Sequence, residues 1–562
     1  MAEKNANKEA ESVRLGFLSN FTIEPLSSIM KKTCEDVGIF AEVYMAPYGQ
    51  YAQEIIDNSS KLYGFSPNLI FLLLDGEKLF GDVYSNPYTQ KVQTRRKIFA
   101  DRLNELKELL NILESKTSAK IVINEILLPI YSSFGILENK QKDGARELVN
   151  KFNYELRKFF LASNRLFVFD LNSFCMKIGY QQLVDKRVDY LADMKISIPA
   201  LKELSKEYLE YVIPVASKTK KCIVLDLDNT LWGGIVGEVG IDGIRLGPER
   251  EGKPFLDFQK KLAELFNRGI ILAINSKNNT EDAMNVIKNH RHMVLKENNF
   301  ACMKINWQDK VSNMREIAEE LNIGLDSMVF IDDDQSNGEL IKEFLPEVTV
   351  IDLPRDPVDY VTCLEGLKFF SKLVSTKEDF ERGKMYIDQR KREQLKLANT
   401  DLDSFLAKLK IQLEIGDASK TDVSRISQLT QKTNQFNLTT KRYQEEDIEK
   451  FVSSKDFKVK FLRVKDNFGD YGMTGVVIVK KLKDSDEWEI DSFLLSCRIL
   501  GKKIEYTLMQ KILENAKEEK IRKINATFIP TPKNPPAKDF LEAAGFNLIR
   551  EDNSTKYYCR DV

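Results

Sequence analysis

Two aspartates one residue apart, Asp226 and Asp228, end an apolar run in "CIVLDLDNTLWGG" (222–234). An ionised carboxylate at the end of a buried run is costly unless something charged meets it there. Further along, "GIILAINSKN" runs into Asn275 and Ser276, and "DSMVFIDDD" runs into Asp332, Asp333 and Asp334. Short apolar runs separated by amphipathic stretches read as parallel strands with helical crossovers, and such sheets hold ligands beyond the carboxyl ends of their strands. Three strand ends carrying acids and a hydroxyl therefore converge on one crevice.

The elements that position them belong to a long chain. At 562 residues it divides into roughly three or four domains of ordinary size. Hydrophobic residues make up 43% and charged residues 30%, and 84 basic against 85 acidic side chains leave no overall charge to attract nucleic acid or an anionic membrane. The opening "MAEKNANKEAES" has no apolar signal core, and no run approaches the ~20 apolar residues of a membrane span, so a cytoplasmic protein is expected. Seven cysteines without a C-x-x-C pair, and two histidines, His290 and His292, argue against a disulfide framework, a zinc site and a histidine-dependent triad.

Three apolar blocks follow one another. The first holds "VRLGFLSN", "GIFAEVYMAPYG", "NLIFLLLD", "SAKIVINEILLP" and "NRLFVFDLNSF" between charged helical segments, and reads as a doubly wound parallel sheet over 11–215. The second, 219–375, contains the three acidic strand ends and adds "EVTVIDLP". Residues 376–408, nearly all charge and helix formers, read as a solvated connecting helix, and 409–562 reads as a mixed, largely antiparallel α+β domain.

The order D-x-D-x-T at 226–230, a strand ending in Ser276, Lys310 in the loop "NWQDKVSN", and an acidic pair at 332–333 resembles the haloacid dehalogenase (HAD) superfamily of phosphotransferases. The resemblance implies a HAD-like Rossmannoid domain in which Asp226 attacks phosphorus and becomes an aspartyl phosphate. Asp228 would protonate the leaving group and then activate water. Ser276, Lys310 and Thr230 would gather the substrate phosphate. Mg2+, which takes hard oxygen ligands, would be held by Asp226, Asp228 through its backbone carbonyl, Asp332 and Asp333. Asp334 reads as a turn residue or helix cap.

"CIVLDLDNTLWGGIVGEVG", "KTNQFNLTTKRY", "DNFGDYGMTGVV" and "LSCRILGKK" together are similar to the FkbH-like proteins, subfamily IIIC of that superfamily, over nearly the whole chain. That likeness implies loading of a small phosphorylated acyl unit, glyceryl from 1,3-bisphosphoglycerate, onto the phosphopantetheine thiol of an acyl carrier protein, with release of phosphate. One departure lies in "DDDQSNGE", where Asn337 stands in place of the expected acid and Glu339 follows two positions later. The N-terminal block resembles the flavodoxin-like SGNH hydrolase fold, but without a histidine it has no esterase triad. Ser19 and Asn20 at the first strand end keep at most a ligand-binding role.

The C-terminal block resembles the Gcn5-related acetyltransferase fold. Its loop from Arg498 to Gly501, with Lys503 where a small residue is expected, would hold the phosphate of pantetheine or CoA. Cys222 and Cys497 are the thiols nearest these motifs, and both read as small buried hydrophobes. The reading is an α/β enzyme: two doubly wound parallel-sheet domains followed by an acetyltransferase-like domain. It carries out Mg2+-dependent phosphate chemistry on a small phosphorylated substrate with an acyl carrier protein as partner. The competing readings are a free-standing phosphatase or phosphatase–acetyltransferase of cell-surface sugar biosynthesis, and a carrier-docking scaffold.

Overall fold

A computed structural model describes residues 12–374, 377–397, 408–482, 485–552 and 554–562. The chain forms two compact units, one up to Thr219 together with Gly366–Val374, the other from Lys220 to Glu365 and from Ser375 onward. Among the described residues no helix is long and apolar enough to cross a membrane.

In the first unit β1 (Val13–Ser19), β2 (Ala41–Met45), β3 (Leu69–Leu73), β4 (Lys120–Asn124) and β5 (Leu166–Phe169) make a parallel sheet of order β2-β1-β3-β4-β5. Every residue of β3, "LIFLL", is buried, as a strand covered on both faces requires. Alternate residues go to opposite faces. Phe17, Phe71 and Leu73 meet α1 (Pro25–Asp36) and α4 (Ile198–Val215), whereas Leu18, Ile70 and Leu72 meet α2 (Val92–Lys116) and α3 (Ala145–Phe160). The segment Gly366–Val374, placed with the phosphatase block by its sequence position, returns to this unit. Its Lys368 Nζ pairs with Glu207 and Glu210 of α4 at 2.5 and 2.8 Å.

The second unit carries two sheets. The first contains β6 (Cys222–Leu225), β7 (Ile271–Ser276), β8 (Phe300–Ile305), β9 (Met328–Asp332) and β10 (Thr349–Asp352), all parallel, in the order β10-β9-β6-β7-β8. Its crossovers include α5 (Lys253–Asn267), α6 (Thr280–Asn289), α7 (Lys310–Leu321) and α8 (Gln335–Phe344). The C-terminal sheet is formed by β11 (Gln412–Asp417), β12 (Phe436–Asn437), β13 (Phe457–Lys465), β14 (Asp470–Lys481), β15 (Glu487–Leu495), β16 (Lys523–Phe528), β17 (Asn547–Asp552) and β18 (Thr555–Asp561). They run in the order β11-β13-β14-β15-β16-β18-β17, with β12 on β15, and only the β15–β16 pair is parallel. This is the mixed, largely antiparallel sheet expected from the sequence.

The connection between the two sheets differs from the expected solvated helix. After the short helix Lys377–Phe380 comes α9 (Arg382–Leu397), and the rest of the expected span, residues 376 and 398–407, lies outside the described residues. Asp379, Met385, Ile387, Asp388 and Arg392 of this segment are buried. On one side Arg390 donates to the Phe300 carbonyl of β8 at 2.9 Å, and the Asp379 carbonyl passes so close over Gly269 (φ 87°) that a Cβ there would lie 1.6 Å from it. On the other side Arg392 makes a two-pronged ion pair with Asp466, both hydrogen bonds at 2.7 Å, and stacks 4.1 Å from the Tyr471 ring centre. Burial works against the Asp466 charge, but Arg392, the backbone N–H of Phe468 and the Tyr471 hydroxyl outweigh it and hold its pKa below the usual carboxylate range. The charge-rich sequence disguised this element because its buried charges are paired with residues far away in the chain.

Removing one partner of a buried pair leaves the other charge uncompensated, at a typical cost of about 3–5 kcal/mol. Arg392→Met is therefore expected to destabilise the protein by about 3 kcal/mol or more in thermal or urea unfolding. Arg392→Lys should recover little, because an ammonium cannot form the two-pronged contact. A loss under about 1 kcal/mol for Arg392→Met would mean that the pair does not tie the two sheets together.

Candidate active site

Strand β6 ends one residue before Asp226, and the chain turns at Asn229, whose φ of 54° an asparagine tolerates. The Asn229 side chain accepts from Gly234 N–H at 2.8 Å, folding the Gly-Gly turn back on itself. This turn brings the Trp232 indole N–H to Asp228 Oδ1 at 2.8 Å, and the Val236 N–H donates to the same oxygen at 3.0 Å. Asn278 Nδ2 donates to the other oxygen of Asp228 at 2.8 Å. Three donors thus fix the Asp228 carboxylate.

Asp226 has a different environment. It is buried beside Lys310, whose Nζ lies 2.6 Å from Asp226 Oδ1 and 2.5 Å from Asp332 Oδ2. Lys310, expected in a loop, is the first residue of α7 and is buried. The helix start is pinned because Asn275 Nδ2 donates to the Lys310 carbonyl at 2.9 Å, while Asn313 bridges Asn275 and Asn306. Burial raises the Asp226 carboxyl to about 7 against the pull of Lys310 and a Ser276 hydrogen bond, and burial with the neighbouring Asp332 raises Asp333 to about 6. Burial disfavours the Lys310 ammonium, yet Asp226 and Asp332 more than offset it and raise its pKa.

Carboxylate oxygens of Asp226, Asp332 and Asp333 lie within 4.8 Å of one another. Three carboxylates against one ammonium leave negative charge uncompensated in a buried space, and oxygen donors at this spacing fit a divalent cation. The structure brings Asp226, Ser276, Lys310, Asp332 and Asp333 together, and Asp228 sits beside them through Asn278. Thr230, expected at the substrate phosphate, is fully buried with its hydroxyl 3.4 Å from Asp333 Oδ1. Asp334 caps α8 by accepting from Ser336 N–H. Asn337 reaches Asp332 at 3.4 Å as a neutral donor, whereas Glu339 is turned to Lys342 on the helix surface. Asn278, Trp232 and Asn313 were not singled out by sequence reasoning, and Asn275 was named only as a strand end beside Ser276. The available signals were an amide two residues beyond Ser276 and a tryptophan four beyond Asp228.

The remaining candidates lie elsewhere. Cys222 is fully buried at the start of β6, and burial pushes its thiol up. The Cys497 side chain lies outside the described residues. Ser19 accepts from Phe21 N–H at 3.1 Å, and Asn20 exchanges hydrogen bonds with the Asp75 backbone, so this turn is internally satisfied. In the C-terminal loop Gly501 has a φ of 76° and Lys503 a φ of 59°, and Arg498 Nε is turned back to Ser496 Oγ at 3.3 Å, with the guanidinium on the Met385 sulfur of α9.

Residues 14–213 match the family described as FkbH, N-terminal domain. Over those residues the chain is similar to the FkbH N-terminal domain. A search of curated proteins found no match. Among solved structures, the N-terminal part of protein BF1531 from Bacteroides fragilis, which contains a phosphatase domain and was crystallised with Mg, is 29% identical. It covers 66% of this chain and 96% of its own length, with a TM-score of 0.59. Two acetyltransferases, the ribosomal-protein-S18-alanine N-acetyltransferase of Escherichia coli (10% identity, TM-score 0.22) and PaiA N-acetyltransferase of Thermoplasma acidophilum with coenzyme A (18%, 0.21), each cover 27% of this chain, and 94% and 99% of their own. The sheet β6–β10 with its edge of acids is a HAD-like phosphatase domain.

A carboxyl raised to about 7 favours the metal-free folded protein at low pH, and that contribution is lost as pH rises from about 4 through 7. Asparagine does not titrate. In excess chelator, Asp226→Asn should therefore gain stability relative to the unsubstituted protein between pH 5 and pH 8, read as the difference in Tm. A difference that stays flat, or falls, across that range would show that Asp226 carries no burial penalty.

Proposed function

We propose that the chain is a Mg2+-dependent phosphotransferase that forms an aspartyl phosphate, a mixed anhydride, on Asp226, acting on a small phosphorylated acyl donor in cooperation with an acyl carrier protein. The observation that carries the chemistry is Lys310 set between Asp226 and Asp332 inside a triple of acids. The Mg bound by the Bacteroides fragilis protein supports the metal. The glyceryl unit and the carrier rest on the FkbH likeness.

Lys310 and Ser276 both engage Asp226, which orients the nucleophilic carboxylate for attack on phosphorus. As that bond forms, the bond from phosphorus to the leaving oxygen breaks, and Asp228 delivers a proton to that oxygen. Water then attacks the phosphorus of the aspartyl phosphate, Asp228 takes its proton, and phosphate leaves with Asp226 restored. Lys310 offsets charge on the transferred group throughout. When bound, Mg2+ supplies further positive charge for the phosphate oxygens. Asp228 can give and take a proton without swinging away, because Trp232, Val236 and Asn278 hold it in place.

The crevice mouth favours an organic substituent. Trp307 is 75% exposed three residues before Lys310. Its loop is held by Asn306, whose N–H donates to the Ser276 carbonyl at 3.1 Å and whose side chain is bonded to Asn313. An exposed indole two residues past the end of β8 has apolar surface to offer a substrate chain.

An ester phosphate leaves as an alkoxide that needs a proton, and an acyl phosphate leaves as a carboxylate that hardly does. Asp226→Asn should abolish phosphate release. With a 3-phosphoglyceryl substrate Asp228→Asn should lose about 10²–10⁴-fold in rate and accumulate no phosphorylated Asp226, read by acid quench and intact mass. Phosphoenzyme built from an acyl phosphate, with no carrier acylated, would instead mark a free-standing phosphatase. Phosphate release by Asp226→Asn near the original rate would remove Asp226 as nucleophile.

A further inference from the structure

The parallel pair β15–β16 is hydrogen-bonded only from Glu487 with Lys523 to Ile490 with Ala526, after which the strands part. On its other edge β15 stays paired with β14 as far as Leu495. The wedge between β15 and β16 is thus the free edge of β15 that leads into the Arg498–Gly501 loop. An extended ligand chain anchored by that loop and running back along the strand would have to add to this edge as a strand does.

The chain itself fills the edge. Within the wedge Phe436 pairs with Leu495 and Asn437 with Leu494, and Leu438 N–H donates to the Phe493 carbonyl at 3.1 Å. From the opposite side Ile529 N–H, just past β16, donates to the Leu438 carbonyl at 2.8 Å, so one short strand closes both edges. It is built to stay. Phe436 and Leu438 belong to the buried core of the domain, and Phe436 packs on Phe540 with ring centres 5.2 Å apart. Asn437, fully buried, holds the turn by accepting from Thr439 and Thr440 N–H at 3.3 and 2.9 Å, and Asn534 Nδ2 donates to the Asn437 carbonyl at 2.9 Å. At the loop, Arg498 faces Ser496 and Met385 rather than an open crevice.

We infer that the C-terminal domain accepts no CoA or pantetheine chain along β15, because residues 436–438 occupy that edge as a permanent strand. The expected ligand does not fit the residues present, and Arg498, Gly501 and Lys503 do not serve it there. This inference is independent of the phosphatase reading, since it concerns only the C-terminal sheet.

Amide hydrogen exchange on the full chain, with and without millimolar CoA or phosphopantetheine, tests it, together with calorimetric titration of the same compounds. Leu438 and Ile529 amides should exchange at least about a hundredfold more slowly than in an unstructured peptide, unchanged by either compound. Saturable binding with both amides still protected would seat the compound elsewhere and also support a closed wedge. Rapid exchange at Leu438 and Ile529 without ligand, or loss of their protection as CoA saturates, would overturn it. Leu438→Pro, which removes the N–H donated to Phe493, should leave CoA binding absent because Phe436 and Asn437 still fill the edge. New CoA binding by that variant would show a removable plug, against the inference, and if the variant does not fold, the exchange data on the unsubstituted chain decide alone.

Discussion

The phosphatase centre depends on a charge imbalance. One ammonium, Lys310, faces Asp226 and Asp332 directly, and Asp333 adds a third carboxylate to the same buried space. Neither burial nor a single lysine can keep all three ionised, which is why Asp226 and Asp333 rise to about 7 and about 6. A site in this condition is strongly receptive to a divalent cation, because the cation relieves repulsion that the fold has already built in. Further positive charge beside Lys310 would favour the ionised form of Asp226.

That imbalance has to be held together by neutral groups. Asn275, Asn306 and Asn313 form a chain of amides that fixes the start of α7, and with it the position of the Lys310 backbone. Amides serve here because they donate and accept without adding to a charge balance that is already uneven. Asn337 follows the same logic. An acid at that position would add another negative charge beside Asp332, whereas its amide donates to Asp332 and Asp334. The departure from the expected motif therefore adds no negative charge beside Asp332 and still supports its carboxylate.

The parallel sheets and the acids at their edges were legible because short continuous apolar runs and strand-end placement are local patterns. "LIFLL" can hardly be anything but a strand covered on both faces, and D-x-D-x-T with Ser276 and an acidic pair falls on consecutive strand ends. What stayed hidden was non-local. Lys310 looked like a loop residue because its helix begins at that residue, so no periodicity precedes it. Asn278 and Trp232 act through hydrogen bonds to Asp228 that no spacing rule announces. The segment after Thr376 looked solvated because its composition is charged, yet the charges of Arg390 and Arg392 are taken up by Phe300 and Asp466, distant in sequence. Composition reports whether a helix can be wet, and only tertiary pairing decides whether it is.

The same kind of non-local pairing operates inside the C-terminal sheet. In the C-terminal sheet the parting of β15 from β16 exposes backbone groups that must be satisfied by something. A bound chain could do so, but a protein that uses its own Phe436–Leu438 segment gains a filled core without depending on a ligand. The motif "DNFGDYG" serves a related purpose. Asp466 receives Arg392, Tyr471 packs against that guanidinium, and the sheet becomes the seat for α9, whose other side is fixed to β8 of the phosphatase domain. Buried charge that would destabilise either domain alone is neutralised only when the two are joined through α9. The C-terminal sheet is thus tied through α9 to the parallel sheet whose strand ends carry the acids.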